Sequence, residues 1–127
     1  MSPGLERGSD GTVDDKPRKN PTLTYVVLRC KDLERSRRFY AALGLALTQE
    51  HHGAGPMHYS ADVGGTVLEL YPQRAASSAD VRVGLRGIRP WPDAESLVAA
   101  GGVVERWSGE ELVVRDPDGH TVHVVSD

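Results

Sequence analysis

Two ionisable side chains interrupt apolar strand-like runs in the two halves of the chain. Glu69 lies within the run Val67–Tyr71, and His123 lies within the run Thr121–Val125. A carboxylate and an imidazole can act as general acid or base, and both are common ligands of metal ions. Because side chains alternate between the two faces of a strand, each group should project away from its apolar neighbours. The pattern therefore predicts one polar group at an equivalent position in each half, directed into a shared pocket.

The elements that must position these groups occur twice along the chain. The first copy contains the helical segment 32–44, which opens with the capping residue Asp32 and closes with Gly44. A weaker copy, segment 92–102, follows later and is capped by Asp93. One short β-rich run precedes each helix and three follow it. The pattern favours an α+β fold, with helices packed on one face of antiparallel-rich sheets.

The length and composition predict how these copies are arranged in one domain. With 127 residues and 39% hydrophobic content, the chain can bury a sizeable core over residues 21–127. We expect module one at about 22–72, a small-residue linker at about 73–80 and module two at about 81–126. Residues 1–20 hold few large apolar side chains and are predicted to form a disordered arm.

The bulk properties also exclude some classes of partner. A net charge of −3 gives no electrostatic reason to expect nucleic acid or an anionic membrane surface. No apolar stretch approaches the roughly 20 residues of a membrane-spanning helix, and the first residues lack the apolar core of a signal peptide. The single cysteine, Cys30, cannot form an intramolecular disulfide, so we expect a cytoplasmic protein in which this thiol packs in the core.

Alternation within the strands predicts the side chains that face away from the helices and line the pocket. Trp107 is included among the pocket residues because its flat apolar ring could contact a planar ligand. The alternative for Trp107 is a contact in the core or in a dimer, and the same two interpretations apply to Trp91. The four histidines outside this set, His51, His52, His58 and His120, are predicted to be exposed. The candidate ligand-binding residues are Tyr25, Val27, Arg29, Val67, Glu69, Tyr71, Arg82, Arg86, Trp107 and His123.

At these residues the chain resembles the vicinal oxygen chelate superfamily, also called the glyoxalase/bleomycin resistance/dioxygenase group. The turn Asp116-Pro117-Asp118-Gly119 is a specific signal when it follows the helix with Asp32-Leu33 and Phe39-Tyr40. The resemblance covers about residues 22–126. The matching segments are 27–36, 39–40, 43–45, 67–70 and 114–123.

The resemblance implies two βαβββ modules whose curved sheets form an open barrel-like cleft, with the helices on the outer face. It also implies a homodimer. In the metalloenzymes of the superfamily a divalent metal ion has four ligand positions, which here are Tyr25, Glu69, Arg82 and His123. Tyr25 is a poor ligand unless ionised, and Arg82 stays protonated and cannot ligate. We therefore expect no full metal site, with Glu69 and His123 as the ligands if a metal binds, and Arg82 paired with Glu69 in its place.

Three functions are compatible with this departure from the metal pattern. The favoured one is a bleomycin-resistance-like protein that binds a small organic molecule, for example an antibiotic, in the cleft without a cofactor. The second is a divalent-metal-dependent lyase, isomerase or dioxygenase. The third is a metal-free enzyme with His123 as general base and Tyr25 or Arg82 stabilising an oxyanion. The candidate catalytic residues are Glu69, His123 and Tyr25.

Overall fold

The computed structural model of the chain describes residues 21–74 and 81–127. The predicted arm over 1–20 and most of the predicted linker lie outside the described residues. The described part forms two four-stranded sheets and two helices, an α+β architecture with no closed barrel. The elements are β1 (Tyr25–Cys30), α1 (Leu33–Leu43), β2 (Thr48–Glu50), β3 (His58–Val63), β4 (Thr66–Pro72), β5 (Arg82–Arg86), α2 (Ala94–Ala99), β6 (Val103–Trp107), β7 (Glu111–Arg115) and β8 (Thr121–Val125).

The two sheets have the same topology, which confirms the doubled strand, helix and three-strand unit. The first sheet has the order β1-β4-β3-β2, and the second has the order β5-β8-β7-β6. In each sheet the first strand pairs in parallel with the fourth, whereas the remaining pairs are antiparallel. The fourth strand of each module is therefore central, and the face it presents opposite the helix is available for a site.

The helices begin and end where the capping residues predict. The Asp32 side chain accepts a hydrogen bond from the Arg35 backbone N–H at 3.1 Å, and Gly44 ends α1 with a φ of 120°. The Asp93 side chain accepts in the same way from the Ser96 N–H at 3.1 Å. In the part of the chain that the structure describes, neither helix has the length and apolar character needed to cross a membrane.

The two modules share one hydrophobic core on their helix-covered sides. Phe39, Tyr40 and Leu43 of α1 are fully buried and pack with buried residues of both sheets and of α2. The alternation of side chains along the strands explains this shared core, because the apolar residues of the paired strands point to the helix side. They are Leu28, Leu68, Leu70, Leu85, Val122 and Val124.

A turn of module two is bonded to the helix of module one. The buried carboxylate of Asp116 accepts a hydrogen bond from the Tyr40 hydroxyl at 2.6 Å, and Asp118 accepts one from Ser36 at 3.1 Å. His120, which follows this turn, is only 6% exposed, so its predicted surface position is wrong. The reason is that its backbone N–H donates to Asp116 and its Nδ1 accepts from the Val81 N–H, which hold it against the second sheet.

Candidate functional site

The face of the first sheet opposite α1 carries all six candidate residues of module one. They occupy alternate positions on β1 and β4, between side chains that are buried on the helix side. The parallel register places them as direct neighbours, in the pairs Tyr25–Val67, Val27–Glu69 and Arg29–Tyr71. We call this surface the open face of the first sheet.

The β2–β3 hairpin adds polar residues to the open face that the sequence interpretation missed. Glu50 lies opposite His58 in the antiparallel register, and Ser60 lies opposite Glu69 of β4. His58 is 2% exposed, so the prediction that it is exposed is wrong, whereas His52 is exposed as predicted. The alternation of side chains along β3 is the sequence signal that could have located them. Tyr59 and Ala61 point toward the core, so His58 and Ser60 lie on the open face.

Two carboxylates converge on the imidazole of His58. Its Nε2 lies 3.3 Å from Oε1 of Glu50 and 3.8 Å from Oε2 of Glu69. Its Nδ1 lies 3.3 Å from the carbonyl oxygen of Pro56, which can only accept a hydrogen bond, so Nδ1 carries a proton in this contact. The Pro56 carbonyl therefore fixes the ring with Nε2 directed at Glu50 and Glu69.

The ring of Tyr71 packs against the face of the His58 ring. The two rings are stacked, with centroids 4.2 Å apart and an angle of 9° between their planes. The Arg29 guanidinium carbon lies 5.3 Å from the centroid of the same tyrosine ring. Since β1 and β3 flank β4, Tyr71 lies between Arg29 and His58 and restricts the motion of both.

Glu50 is kept ionised by its neighbours. A hydrogen bond from the Ser60 hydroxyl lowers the pKa of the Glu50 carboxyl, and His52 lowers it further. The Nε2 atom of His52 lies 3.6 Å from Oε1 of Glu50. One ligand atom each from Glu50, His52 and His58 all lie within 4.8 Å of one another. This set can accept a cation or exchange a proton.

A cavity of about 470 Å³ opens beside these groups. Its lining includes the carboxylates of Glu50, Asp62 and Glu69 and the hydroxyls of Thr48 and Ser60. All of its lining residues belong to module one. The cavity is therefore acidic and rich in hydrogen-bond acceptors.

The equivalent face of the second sheet is arranged differently. Nε2 of His123 lies 2.8 Å from Oε2 of Glu111, and Arg106 contacts the other oxygen of this carboxylate at 3.0 Å. These contacts lower the pKa of Glu111, with His123 as the larger cause. Arg82 and Arg86 flank Gly84, which is the register neighbour of His123, and both are exposed. The second face therefore pairs its histidine with a carboxylate and adds positive charge.

The four positions that the resemblance associates with a metal ion do not fit one. Tyr25 is 60% exposed, and Arg82 is a cation. Within the described ranges 21–74 and 81–127, no ion pair joins Glu69 to Arg82, so the expected pairing is not found there. Oε2 of Glu69 lies 3.8 Å from Nε2 of His58 instead, and Nε2 of His123 lies 2.8 Å from Glu111.

Trp107 lies outside the open face of its sheet. A β-bulge between Val104 and Arg106 shifts the register, so Trp107 lies opposite Leu112, whose side chain is buried on the helix side. Its indole N–H donates to the Pro92 carbonyl at 3.0 Å. Because the bulge inserts one residue, Trp107 does not share the face of Val103, although the two residues are four positions apart. Trp107 thus lies on the other side of its sheet from His123, and its role in ligand binding stays a prediction beside the alternative of a core or dimer contact.

A second cavity, of about 430 Å³, lies between the modules. Module one contributes mainly apolar residues from β1, β3, β4 and the segment before β1, and module two contributes residues 81–85. Of the candidate residues, Arg82 contributes to its wall. The predicted pocket between the halves is thus mainly apolar, whereas Glu69 lines the acidic cavity on the open face.

The repeated module and its open face define a protein of the vicinal oxygen chelate type. The sequence profile described as "Glyoxalase-like domain" matches residues 25–125, and the chain therefore belongs to this family. A comparison with curated proteins finds no match at a significant level.

Solved structures of the same superfamily have the same fold. A glyoxalase-related enzyme from Fulvimarina pelagi is 24% identical with a TM-score of 0.57, over 84% of this chain and 88% of its own. The lactoylglutathione lyase from Agrobacterium tumefaciens is 19% identical with a TM-score of 0.56, over 85% and 95%. A glyoxalase/bleomycin resistance protein from Albidiferax ferrireducens T118 is 14% identical with a TM-score of 0.53, over 83% and 98%. At these identities the likeness establishes the fold, and the activity must be argued from the site.

Proposed function

We propose that the protein binds a small organic molecule on the open face of the first sheet. The observation that carries the proposal is the cavity of about 470 Å³ beside Glu69, which has the size of a small-molecule site. A rigid central strand supports it, since β4 is hydrogen-bonded on both sides. Two of the candidate ligand-binding residues, Val67 and Glu69, line this cavity.

The residues of the cavity wall determine which chemical groups a ligand should carry. Three carboxylates and two hydroxyls present mainly hydrogen-bond acceptors, so the complementary molecule carries donors and positive charge. Among antibiotic-like compounds, those with amino or guanidino groups match this wall better than anionic ones.

Binding can be tested by a thermal-shift screen followed by calorimetry. Amine-bearing antibiotics are compared with neutral α-hydroxyketones and catechols, all in EDTA, and a saturable rise in melting temperature identifies a ligand. We expect Glu69→Gln to weaken binding of the amine-bearing hit, while Glu105→Gln on the exposed part of β6 leaves it unchanged. Equal affinity of wild type and Glu69→Gln would refute binding at this cavity.

We further propose that the protein forms a homodimer in which a second copy closes the open face. Leu23 and Tyr25 are 65% and 60% exposed at the start of β1, an outer strand of its sheet. Exposed apolar side chains beside an unpaired strand edge are typical of an interface. Light scattering after gel filtration should give twice the chain mass, and Tyr25→Lys should give the monomer mass. A wild-type protein that is monomeric throughout the concentration range contradicts this proposal.

A metal-dependent lyase, isomerase or dioxygenase is the second candidate function. The observation that favours it is the convergence of Glu50 and Glu69 on Nε2 of His58. Turnover of an α-hydroxyketone or catechol that requires added metal ion and is lost in Glu50→Gln would support it. Saturable binding of such a compound with no turnover would favour the binding protein.

A further inference from the structure

We infer that Glu50, His52, His58 and Glu69 form a site for a divalent transition-metal ion of the zinc type. Three of these residues belong to β2, β3 and the loop between them, and not to the four positions of the superfamily's metal pattern. Glu69 is common to both sets. The inference does not depend on the proposed organic ligand, because the four side chains would bind the ion by themselves.

The separations of the ligand atoms match metal coordination. In a tetrahedral site with bonds of about 2.0–2.2 Å, neighbouring ligand atoms lie about 3.3–3.6 Å apart. Here Oε1 of Glu50 lies 3.3 Å from Nε2 of His58 and 3.6 Å from Nε2 of His52. Oε2 of Glu69 lies 3.8 Å from Nε2 of His58. One ligand atom each from Glu50, His52 and His58 lie within 4.8 Å of one another and can share an ion, and Glu69 joins them by rotating toward it from its position beside His58.

The negative charge of the cluster also favours the binding of a cation. Glu50 and Glu69 bring two negative charges toward one imidazole nitrogen, and within residues 21–74 and 81–127 neither carboxylate has a Lys or Arg ion-pair partner. A divalent ion with two neutral imidazoles and two carboxylates gives a neutral centre. Two imidazoles and two carboxylates suit zinc and its transition-metal neighbours better than calcium, which prefers oxygen ligands only.

Neighbouring groups already hold the ligands in orientations that expose their lone pairs. The contact of His58 Nδ1 with the Pro56 carbonyl places the ring's lone pair on Nε2, which the Tyr71 hydroxyl approaches at 3.4 Å and which the metal ion would take. Tyr71 stacks on the ring of His58. Metal-binding histidines and carboxylates characteristically have such partners, which fix the tautomer and the direction of the lone pair.

Isothermal titration of the untagged, EDTA-stripped protein with Zn²⁺ tests the inference. We expect one ion per chain, and Co²⁺ should give the intense visible bands of a tetrahedral centre. His52→Asn and Glu50→Gln should each weaken Zn²⁺ binding by about 100-fold or more, since even loss of a supporting partner costs about 10- to 100-fold. His51→Asn, an exposed neighbour outside the cluster, is the matched control and should bind as wild type does.

Two results would overturn the site. One is the absence of saturable Zn²⁺ binding to the wild type; the other is binding that survives both His52→Asn and Glu50→Gln. His52 is exposed, so its variant folds even if a change at Glu50 does not, and circular dichroism in EDTA checks both. If binding survives both of these substitutions and is abolished by His123→Gln, the second result holds and the ion lies in module two. The ligand screen is run in EDTA, so a failure of the metal site is separable from a failure of the proposed function.

Discussion

Tyr40 of the first helix donates a hydrogen bond of 2.6 Å to the carboxylate of Asp116, which belongs to the tight turn of the second module. Both residues are buried. Burial and the adjacent Asp116 carboxylate raise the pKa of Tyr40 well above its usual range, so the hydroxyl keeps its proton and acts as donor. The two modules are thereby joined by a polar contact inside a shared apolar core.

Removal of the Tyr40 hydroxyl should destabilise the whole domain. Tyr40→Phe leaves the buried Asp116 without one of its donors, although the backbone N–H groups of Asp118 and His120 still reach it. A buried acceptor that loses a partner costs about 1–3 kcal/mol, and urea unfolding should show this loss.

The same substitution at Tyr59 is the control. The Tyr59 hydroxyl donates to Glu34, whose side chain is 48% exposed and is rehydrated when the donor is lost. Tyr59→Phe should therefore cost less than about 1 kcal/mol. Equal losses of stability in the two variants would mean that the buried Tyr40–Asp116 contact contributes no more to the free energy of unfolding than the exposed Tyr59–Glu34 contact.

The close approach of α1 to the second module requires glycine at position 102. A Cβ atom added at Gly102 would lie 2.5 Å from a ring carbon of Phe39 and 3.0 Å from the Leu97 carbonyl oxygen. Gly102→Ala should therefore destabilise the protein by about 1–3 kcal/mol, measured as a fall in the urea midpoint. Gly109→Ala is the comparison, because no atom lies within 4 Å of its added Cβ, and it should be close to neutral. A neutral Gly102→Ala would show that the packing at Phe39 adjusts without cost.

The contact between His123 and Glu111 should be visible in a carboxyl titration. His123 is the main cause of the lowered pKa of Glu111, so His123→Ala should raise that pKa toward the usual range of glutamate, followed by NMR of the carboxyl carbon. Arg106→Ala should raise it less. A group with a lowered folded-state pKa contributes stability that is complete above its unfolded pKa and is lost as the pH falls through the folded pKa. The difference in free energy of unfolding between wild type and His123→Ala should therefore decrease as the pH falls. An unchanged Glu111 titration in the variant would contradict the assignment of His123 as the main cause of the lowered pKa.

Strict alternation explains why much of the open face could be predicted from the sequence. β4 and β8 bury alternate residues on the helix side, namely Leu68 and Leu70 in β4 and Val122 and Val124 in β8, so Glu69 and His123 lie opposite the helices as alternation predicts. Alternation fails where the strand is irregular, as at Trp107, because the bulge in β6 reverses the faces. It also does not give the register between strands, and the proximity of Glu50 to His58 depends on how the loop 51–57 closes the hairpin.

The thiol of Cys30 should react slowly while the protein is folded. Burial raises its pKa to about 11, so at pH 8 about one thiol in a thousand is ionised, and the side chain is 1% exposed. Its reaction with a disulfide reagent must therefore pass through opening of the core that Tyr40 and Asp116 hold together. The expected loss of about 1–3 kcal/mol in Tyr40→Phe should raise the reaction rate about 5- to 150-fold if the opening disrupts this contact. Tyr59→Phe should leave the rate nearly unchanged, and urea should make the wild-type thiol react at once. Rapid labelling of the folded wild type would instead mean that Cys30 is reached without unfolding, which would contradict its assignment to the core.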